Sequence, residues 1–280
     1  MEQNTQEWLT FRKDKIGASD APVIMGVSPW ITPYQLWEEK IGLKGPKEEN
    51  EAMARGKAME AEARESFQRL MQIEVEPKVR VHSERNWMIA SLDGINKEGD
   101  VVVEIKCPGY KDHEAAMDGV VPEKYKPQLQ HQMEVCGVSH IFYFSYNPTS
   151  YKMLLIERDN NYIKELLDKE QAFYQCMQDC EPPGLVDRDY IVRQDPIWLE
   201  MASKWRELRS KSKALENEEK SLREELLKLT GSMNCQGGGL RVNKVVRKGN
   251  IKYNAIPELK QVDLERYRDP ITEYWKIGEV

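Results

Sequence analysis

The stretch Trp87–Gly109, WMIASLDGINKEGDVVVEIKCPG, constrains this chain more than any other. Trp87–Leu92 is apolar enough for a strand, and Asn96–Asp100, with Gly99 among polar residues, reads as a turn. Val101, Val102, Val103 and Ile105 are β-branched and favour a second strand. Cys107-Pro108-Gly109 ends it, because proline cannot donate to a ladder. The chain therefore returns antiparallel on itself and brings Asp93 towards Glu104. Side chains alternate along a strand. Val101, Val103 and Ile105 share one face, which is expected to enter the core. Val102, Glu104 and Lys106 share the other, which is expected to set a carboxylate and an ammonium beside Asp93.

Two neighbouring carboxylates repel each other unless a cation or a proton lies between them. Their hard oxygens suit Mg²⁺, which keeps several waters and binds phosphate oxygens. Such an ion stabilises the charge of phosphodiester hydrolysis and helps form the attacking hydroxide. Lys106 would then orient that water or offset charge on the phosphorane. An ordinary hairpin with a surface Glu-Lys pair has the same spacing, so the spacing alone does not decide. The nuclease reading rests on Glu-Ile-Lys-Cys-Pro after an apolar run, together with the neighbouring stretches.

Upstream, Glu7–Lys15 reads as a short helix anchored by Trp8 and Phe11. IGASDAPVIMG follows, with Gly17 at a tight turn and Ser19 or Asp20 capping a short helix. Thr32 is an expected N-cap, with Pro33 at the first position of a helix to Ile41. A polar linker covers 42–49, and Asn50–Met71 is expected to be a long helix with Met53, Met59, Ala63, Phe67 and Leu70 at a rough helical period. Glu60 on that helix is either a third carboxylate for the metal or part of a solvated face. Downstream come a strand at Ile73–Val81, helices at His113–Asp118 and Lys124–Gly137, strands at Ile141–Tyr146 and Tyr151–Ile156, and an amphipathic helix from Asn160 to about Gln178. On the second of those helices Tyr125, Leu129, Met133 and Cys136 form a stripe, with Gln128 and Gln132 on neighbouring turns. This order predicts an α/β (α+β) domain over residues 1–195, with a mixed or antiparallel sheet of about five strands flanked by helices.

The remainder differs. Trp198–Thr230 contains no Pro or Gly, and Met201, Leu208, Leu215, Leu222 and Leu229 recur every seven residues. The companion positions Trp205, Ser212, Glu219 and Leu226 are only half apolar, which fits a helix hairpin, a helix laid on another surface or a short oligomeric coil over 196–230. In the last segment, 231–280, Gly231–Gly239 reads as a flexible link, and a basic hairpin is expected from Arg241–Val246 and Asn250–Tyr253 around Arg247 and Lys248. That hairpin is either a nucleic-acid backbone contact or a solvated turn. An aromatic tail with Tyr267, Tyr274 and Trp275 closes the chain.

Net charge narrows the partners. At −6 over 280 residues, the chain does not hold nucleic acid by bulk charge, so contacts with phosphate must be local. Cys107, Cys136, Cys176, Cys180 and Cys235 are odd in number and form no CxxC pair, and the histidines have no metal-ligand spacing. Reduced cysteines, no apolar segment in MEQNTQEWLTFRKDK and no run of membrane-spanning length lead to the expectation of a cytoplasmic protein without membrane association.

Four pieces, FRKDKIGASDAPVIMG, GKAMEAEA, SLDGINKEGDVVVEIKCP and YKPQLQHQM, occur in an order that resembles the YqaJ-like viral recombinase group. That group includes the lambda-type phage alkaline exonucleases and belongs to the PD-(D/E)XK nuclease superfamily. The resemblance covers about Trp8–Pro148. It implies that Asp93 and Glu104 bind the metal with the carbonyl of Ile105 and with Glu60, that Lys106 serves the attacking water, and that Gln128 belongs to the catalytic set, with Tyr125 three residues before it. It implies that Arg12 and Ser19 hold a terminal phosphate, and it matches Ser91 to the family's serine before the motif. Leu92 stands where the superfamily label has proline, a variation the label permits. The implied activity is Mg²⁺-dependent degradation of linear double-stranded DNA from the 5′ end, with two ions and with Mn²⁺ as the alternative. It leaves 3′ single strands for annealing in recombination. The implied partners are DNA ends, further copies in a homo-oligomer such as a trimer, and a strand-annealing protein, in a bacterial host with phage or prophage origin. A structure-specific or restriction-like endonuclease on the same core, and an inactive DNA-binding or assembly scaffold, are the competing readings. The heptad helix and the basic tail have no counterpart in the short family members.

Overall fold

A computed structural model of the chain describes residues 5–45, 51–270, 272 and 277. Tyr274, Trp275, Asn50 and the 46–49 part of the expected linker lie outside the described residues, as does the side chain of Met53. The chain forms two compact units, Met1–Ile191 and Val192–Val280.

The first unit opens with α1 (Gln6–Arg12), capped by the Thr5 side chain, which accepts from Trp8 N. A two-residue strand β1 (Ile16–Gly17) leads into α2 (Ala21–Ile24) and α3 (Pro33–Ile41). Thr32 caps α3 as its sequence predicts, in a reciprocal box with Gln35, and Gly42 ends it at φ 83°. Next come α4 (Glu51–Met71), β2 (Glu76–Val81), β3 (Met88–Ile95) and β4 (Val102–Lys106). They are followed by α5 (Tyr110–Met117), α6 (Lys126–Cys136), β5 (His140–Asn147), β6 (Ser150–Glu157) and α7 (Asn160–Asp179). The turn between β3 and β4 is organised by one side chain: Asn96 Oδ1 accepts from the amides of Gly99, Asp100 and Val101, while Gly99 takes φ 83°.

The sheet has six strands, one more than the sequence predicts, because β1 is too short to leave a periodic trace. It is mixed: β1 runs parallel to β3 and β4 parallel to β5, and the other pairings are antiparallel. The register explains where the sheet opens. Ile89 pairs with both β1 and β2, and Ile95 with both β2 and β4. A strand has two edges, so β1 and β4 share one edge of β3, at opposite ends. The β3–β4 ladder is limited to Gly94↔Val103 and Ile95↔Val102. Beyond it the strands part, and the edge of β3 from Ala90 to Asp93 is left between β1 and β4.

Both faces of the sheet are covered, which corrects the expected one-sided β4. Val102 is buried with Leu129, Met133 and Tyr143 on the side of α6, with Trp37 and Phe173 in the same core. Val103 and Ile105 pack on the other side with Ala63 and Phe67 of α4. A central strand joined to a parallel neighbour is buried on both faces, so Glu104, at 2% exposure, is buried as well. On α4 the inward residues are Ala63 and Phe67, while Leu70 is exposed and Met71 packs instead. A buried pair ties α6 to α7 and to the sheet: His131 meets Glu170 Oε1 at 2.7 Å and the carbonyl of Ile89 at 2.9 Å.

The second unit holds α8 (Pro196–Leu229) and a small hairpin of β7 (Cys235–Gly237) and β8 (Leu240–Val242). This overturns the expected basic hairpin. β7 forms within the segment read as a flexible link and β8 overlaps the start of the expected first strand, because Gly238 and Gly239 (φ 55° and 80°) make the two-residue turn that a tight hairpin needs. Arg247 and Lys248 lie in an exposed stretch without strand structure. Among the described residues no helix is long and apolar enough to cross a membrane, and all five cysteines are free.

Candidate active site

The opening between β1 and β4 is a cleft of about 600 Å³ whose lining includes Ser19, Trp30, Glu60, Asp93, Ile105, Lys106, Tyr125 and Gln128. Where the β3–β4 ladder ends, Asp93 reaches across the parting strands and Oδ2 accepts from the amide of Ile105 at 2.8 Å. The following residue must be glycine for the strands to meet: a Cβ on Gly94 would lie 2.7 Å from Val103 Cγ1 and 2.8 Å from Val75 Cγ2. Glu104 is held on both oxygens. Oε1 pairs with Lys106 Nζ and accepts from Gln128 Nε2 at 2.5 Å, and Oε2 accepts from Gln132 Nε2. Gln128 and Gln132 stand one turn apart on α6, so a single helix face donates to both oxygens of the carboxylate.

The electrostatics follow from this crowding. Burial, and then the charge of Glu104, push the Asp93 carboxyl well above its ordinary range, with Glu60 adding to the shift; Lys106 and the Ile105 amide oppose it. Burial works against the charge on Lys106, but Glu104 and Asp93 more than offset it and raise its pKa, so it stays an ammonium. Burial also pushes Tyr125 up to about 12 and Cys107 up to about 11, so neither supplies an anion near neutrality. The Lys106 ammonium lies 5.3 Å from the Tyr125 ring centroid, and the Tyr125 hydroxyl donates to Asp112 at 3.4 Å.

The N-terminal residues reach the same cleft through β1. Arg12 Nη2 donates to Ser19 Oγ at 3.3 Å and lies 3.5 Å from Asp20 Oδ1. Asp20 does not cap α2 with its side chain, contrary to expectation. Its Oδ2 instead accepts from the amide of Gly17 at 2.9 Å and pairs with Lys40 at 2.6 Å. Burial opposes that charge, but Lys40 and Arg12 hold the Asp20 carboxyl below its ordinary value. Ser91 accepts from Trp8 Nε1 at 3.2 Å, which ties α1 to β3. Glu60 lines the cleft and pairs with Arg64, whose Nε donates to the backbone oxygen of Asp93 at 2.6 Å. Arg247 and Lys248 belong to the second unit.

Arg64 and Gly94 are the residues this arrangement adds to those singled out in the sequence, and Gln132, singled out there beside Gln128, gains its role as a donor to Glu104. Gln132 repeats Gln128 at i+4 and Arg64 follows Glu60 at i+4, spacings visible in the sequence. The need for Gly94 depends on Val75, distant in sequence, and leaves no local trace.

Among the described residues no group of three or more His, Cys, Asp or Glu side chains is arranged to hold a metal ion. The donors still fit Mg²⁺, which is commonly bound by one or two carboxylates and completed by water and phosphate. Glu104 is buried and Asp93 half-buried at the cleft, and the charge of Glu104 helps raise the pKa of Asp93, a repulsion that a cation relieves.

The fold is a mixed α/β sheet flanked by helices, and a solved exonuclease is similar to it. A crystal structure of an alkaline exonuclease from Laribacter hongkongensis superposes at TM-score 0.56 with 28% identity, over 63% of this chain and 94% of that one. The same exonuclease in complex with dAMP superposes at TM-score 0.57. The family model described as the YqaJ-like viral recombinase domain matches residues 7–139. The uncharacterised protein YqaJ of Bacillus subtilis (strain 168) is 28% identical over 179 residues, 62% of this chain. The match spans 56% of that protein, less than two thirds of its length.

Proposed function

We propose that the chain is a metal-dependent nuclease with a PD-(D/E)XK core that degrades linear double-stranded DNA from its ends, in the 5′ to 3′ direction. The observation that carries this reading is the convergence of Asp93, Glu104, Lys106 and Gln128 where β3 and β4 part, with Ser19 lining the same cleft and Arg12 bonded to it. The Laribacter structures support it, since one is an alkaline exonuclease crystallised with a deoxynucleoside monophosphate.

Asp93 and Glu104, with the carbonyl of Ile105, would hold Mg²⁺ or Mn²⁺, and Glu60 would join the set if released from Arg64. A divalent ion bound there supplies Lewis acidity and lowers the pKa of bound water. Gln128 and Gln132 fix the orientation of Glu104. Lys106, kept protonated, positions the attacking water by hydrogen bonding and offsets charge on the phosphorane. Arg12 and Ser19 hold the terminal phosphate, Tyr125 walls the cleft beside Lys106, and Ser91 seats α1. In this reading the product is a 3′ single strand for annealing-type recombination. The partners are DNA ends, other copies of the chain, for which the resemblance implies a trimer, and a strand-annealing protein. Arg247 and Lys248 offer a further backbone contact.

Lys106→Ala tests the assignment of the site. It is expected to lower the cleavage rate by about 10²–10³-fold while leaving DNA binding, measured by fluorescence anisotropy, within about threefold. Unchanged cleavage would remove Lys106 from the mechanism.

A further inference from the structure

We infer that α8 pairs antiparallel with α8 of a second copy of this chain. The helix runs 34 residues, about 50 Å. Asp195 caps it by accepting from Trp198 N, and it buries none of its side chains. Its seven-residue seam, Met201, Leu208, Leu215, Leu222 and Leu229, ranges from 49% exposed at Met201 to 82% at Leu229. A water-exposed apolar stripe of this length marks an interaction surface. Within the second unit Leu215, Leu222 and Leu226 line one wall of an open groove of about 910 Å³, and Leu240 and Val242 line the other. The groove presents leucines of the seam to an incoming helix.

Charge decides what that helix is. Residues 196–213 of α8 are net basic, with Lys204, Arg206, Arg209, Lys211 and Lys213 against Glu200 and Glu207. Residues 214–229 are net acidic, with Glu216, Glu218, Glu219, Glu224 and Glu225 against Lys220, Arg223 and Lys228. Such a helix complements a reversed copy of itself. With the leucines at position d, the flanking g positions are Lys204, Lys211, Glu218 and Glu225, and the e positions include Arg209 and Glu216. The antiparallel register that sets Trp205 against the partner's Leu222 also sets Trp198 against the partner's Leu229. It brings Lys204 to the partner's Glu225, Lys211 to the partner's Glu218 and Arg209 to the partner's Glu216. Ser212 and Glu219, the polar interruptions of the seam, then face the partner's Leu215 and the partner's Leu208. A parallel pair would instead oppose Glu219 to the partner's Glu219 and Lys204 to the partner's Arg209. The on-helix pairs Lys204–Glu200 and Lys211–Glu207 are exposed and weak enough to yield.

The experiment is the mass of the full chain in solution by light scattering, at micromolar concentration and low salt. The unaltered chain is expected at the mass of two copies, or of a multiple of two. K204E/K211E leaves every g position acidic and is expected to halve that mass, as is E218K/E225K, which leaves every g position basic. An equimolar mixture of the two variants is expected to recover the original mass. Leu208→Asp/Leu222→Asp is expected to halve it without rescue, and a circular dichroism spectrum that keeps its helical signal guards against unfolding. In a parallel pair K204E/K211E would gain one attraction and lose another, so an unchanged mass in that variant, with a halved mass in the leucine variant, would overturn the antiparallel arrangement. A monomer, or a mass that no α8 substitution changes, would overturn the pairing altogether. None of these outcomes depends on the chemistry of the cleft.

Discussion

Glu104 is bonded through both of its oxygens, to Lys106, Gln128 and Gln132, and Asp93 accepts a backbone amide on one, and that difference sets the behaviour of the cleft. Asp93 also lies half-buried beside another anion, so its carboxyl rises. A carboxyl raised in the folded state contributes stability that is fully present below its unfolded pKa and is lost as pH rises through the folded value. In EDTA, Asp93→Asn should therefore melt higher than the unaltered protein at pH 8, by about 2–4 °C for each kcal/mol recovered, and the gap should close as the pH falls into the ordinary carboxylate range. Adding Mg²⁺ should raise the melting temperature of the unaltered protein more than that of the variant. Melting curves from pH 4 to 9 check this, and a gap of opposite sign would contradict it. Arg12 makes a second test at this scale. Lys40 still neutralises Asp20 in Arg12→Ala, so the variant should fold. Its preference for 5′-phosphorylated over 5′-hydroxyl duplex ends should fall by about 10–100-fold, the worth of one charge-assisted hydrogen bond. An unchanged ratio of rates would take Arg12 out of phosphate binding.

At the scale of elements, the site exists because β1 and β4 share an edge of β3 without meeting. Gly94 lets β4 approach, and Gly94→Ala would force its Cβ against Val103 and Val75. It should cost about 1–3 kcal/mol, as overpacking does, and lower cleavage further by moving Asp93 relative to Glu104. Denaturant unfolding and initial rates measure the two effects, and a variant as stable as the unaltered protein would show that the strands tolerate separation. Much of this level is legible in the sequence. Asn96–Asp100 announces its turn, Thr32-Pro33 its helix start, and Glu104-Ile105-Lys106 the strand that carries the chemistry. Less legible are features made by distant residues. Two residues of β1 have no period to detect, and Asp20 looks like a cap until Lys40 and the Gly17 amide claim it. The buried face of Glu104 depends on α6, since alternation along β4 says which residues share a side but not that both sides are covered. The hairpin of β7 and β8 is a miss of another kind: its Gly238-Gly239 turn is in the sequence, but a glycine-rich stretch also reads as a link.

On the scale of the whole molecule, the cleft lies entirely within the first unit, and the exposed leucine seam within the second. The family match ends at residue 139, inside the first unit, so the chemistry and the long helix rest on separate grounds. With a net charge of −6, the account requires the DNA to be held by the local groups around the cleft, so cleavage should depend on an end that can enter it. The direct measurement is digestion of linear duplex DNA labelled at the 5′ or the 3′ end, with Mg²⁺ and with EDTA, beside a closed circular duplex. Early release of the 5′ label from the linear duplex, none in EDTA, and an intact circle are expected. Nicking of the circle would contradict end-dependence and point to an endonuclease, and no cleavage of any DNA with Mg²⁺ or Mn²⁺ would contradict the nuclease itself.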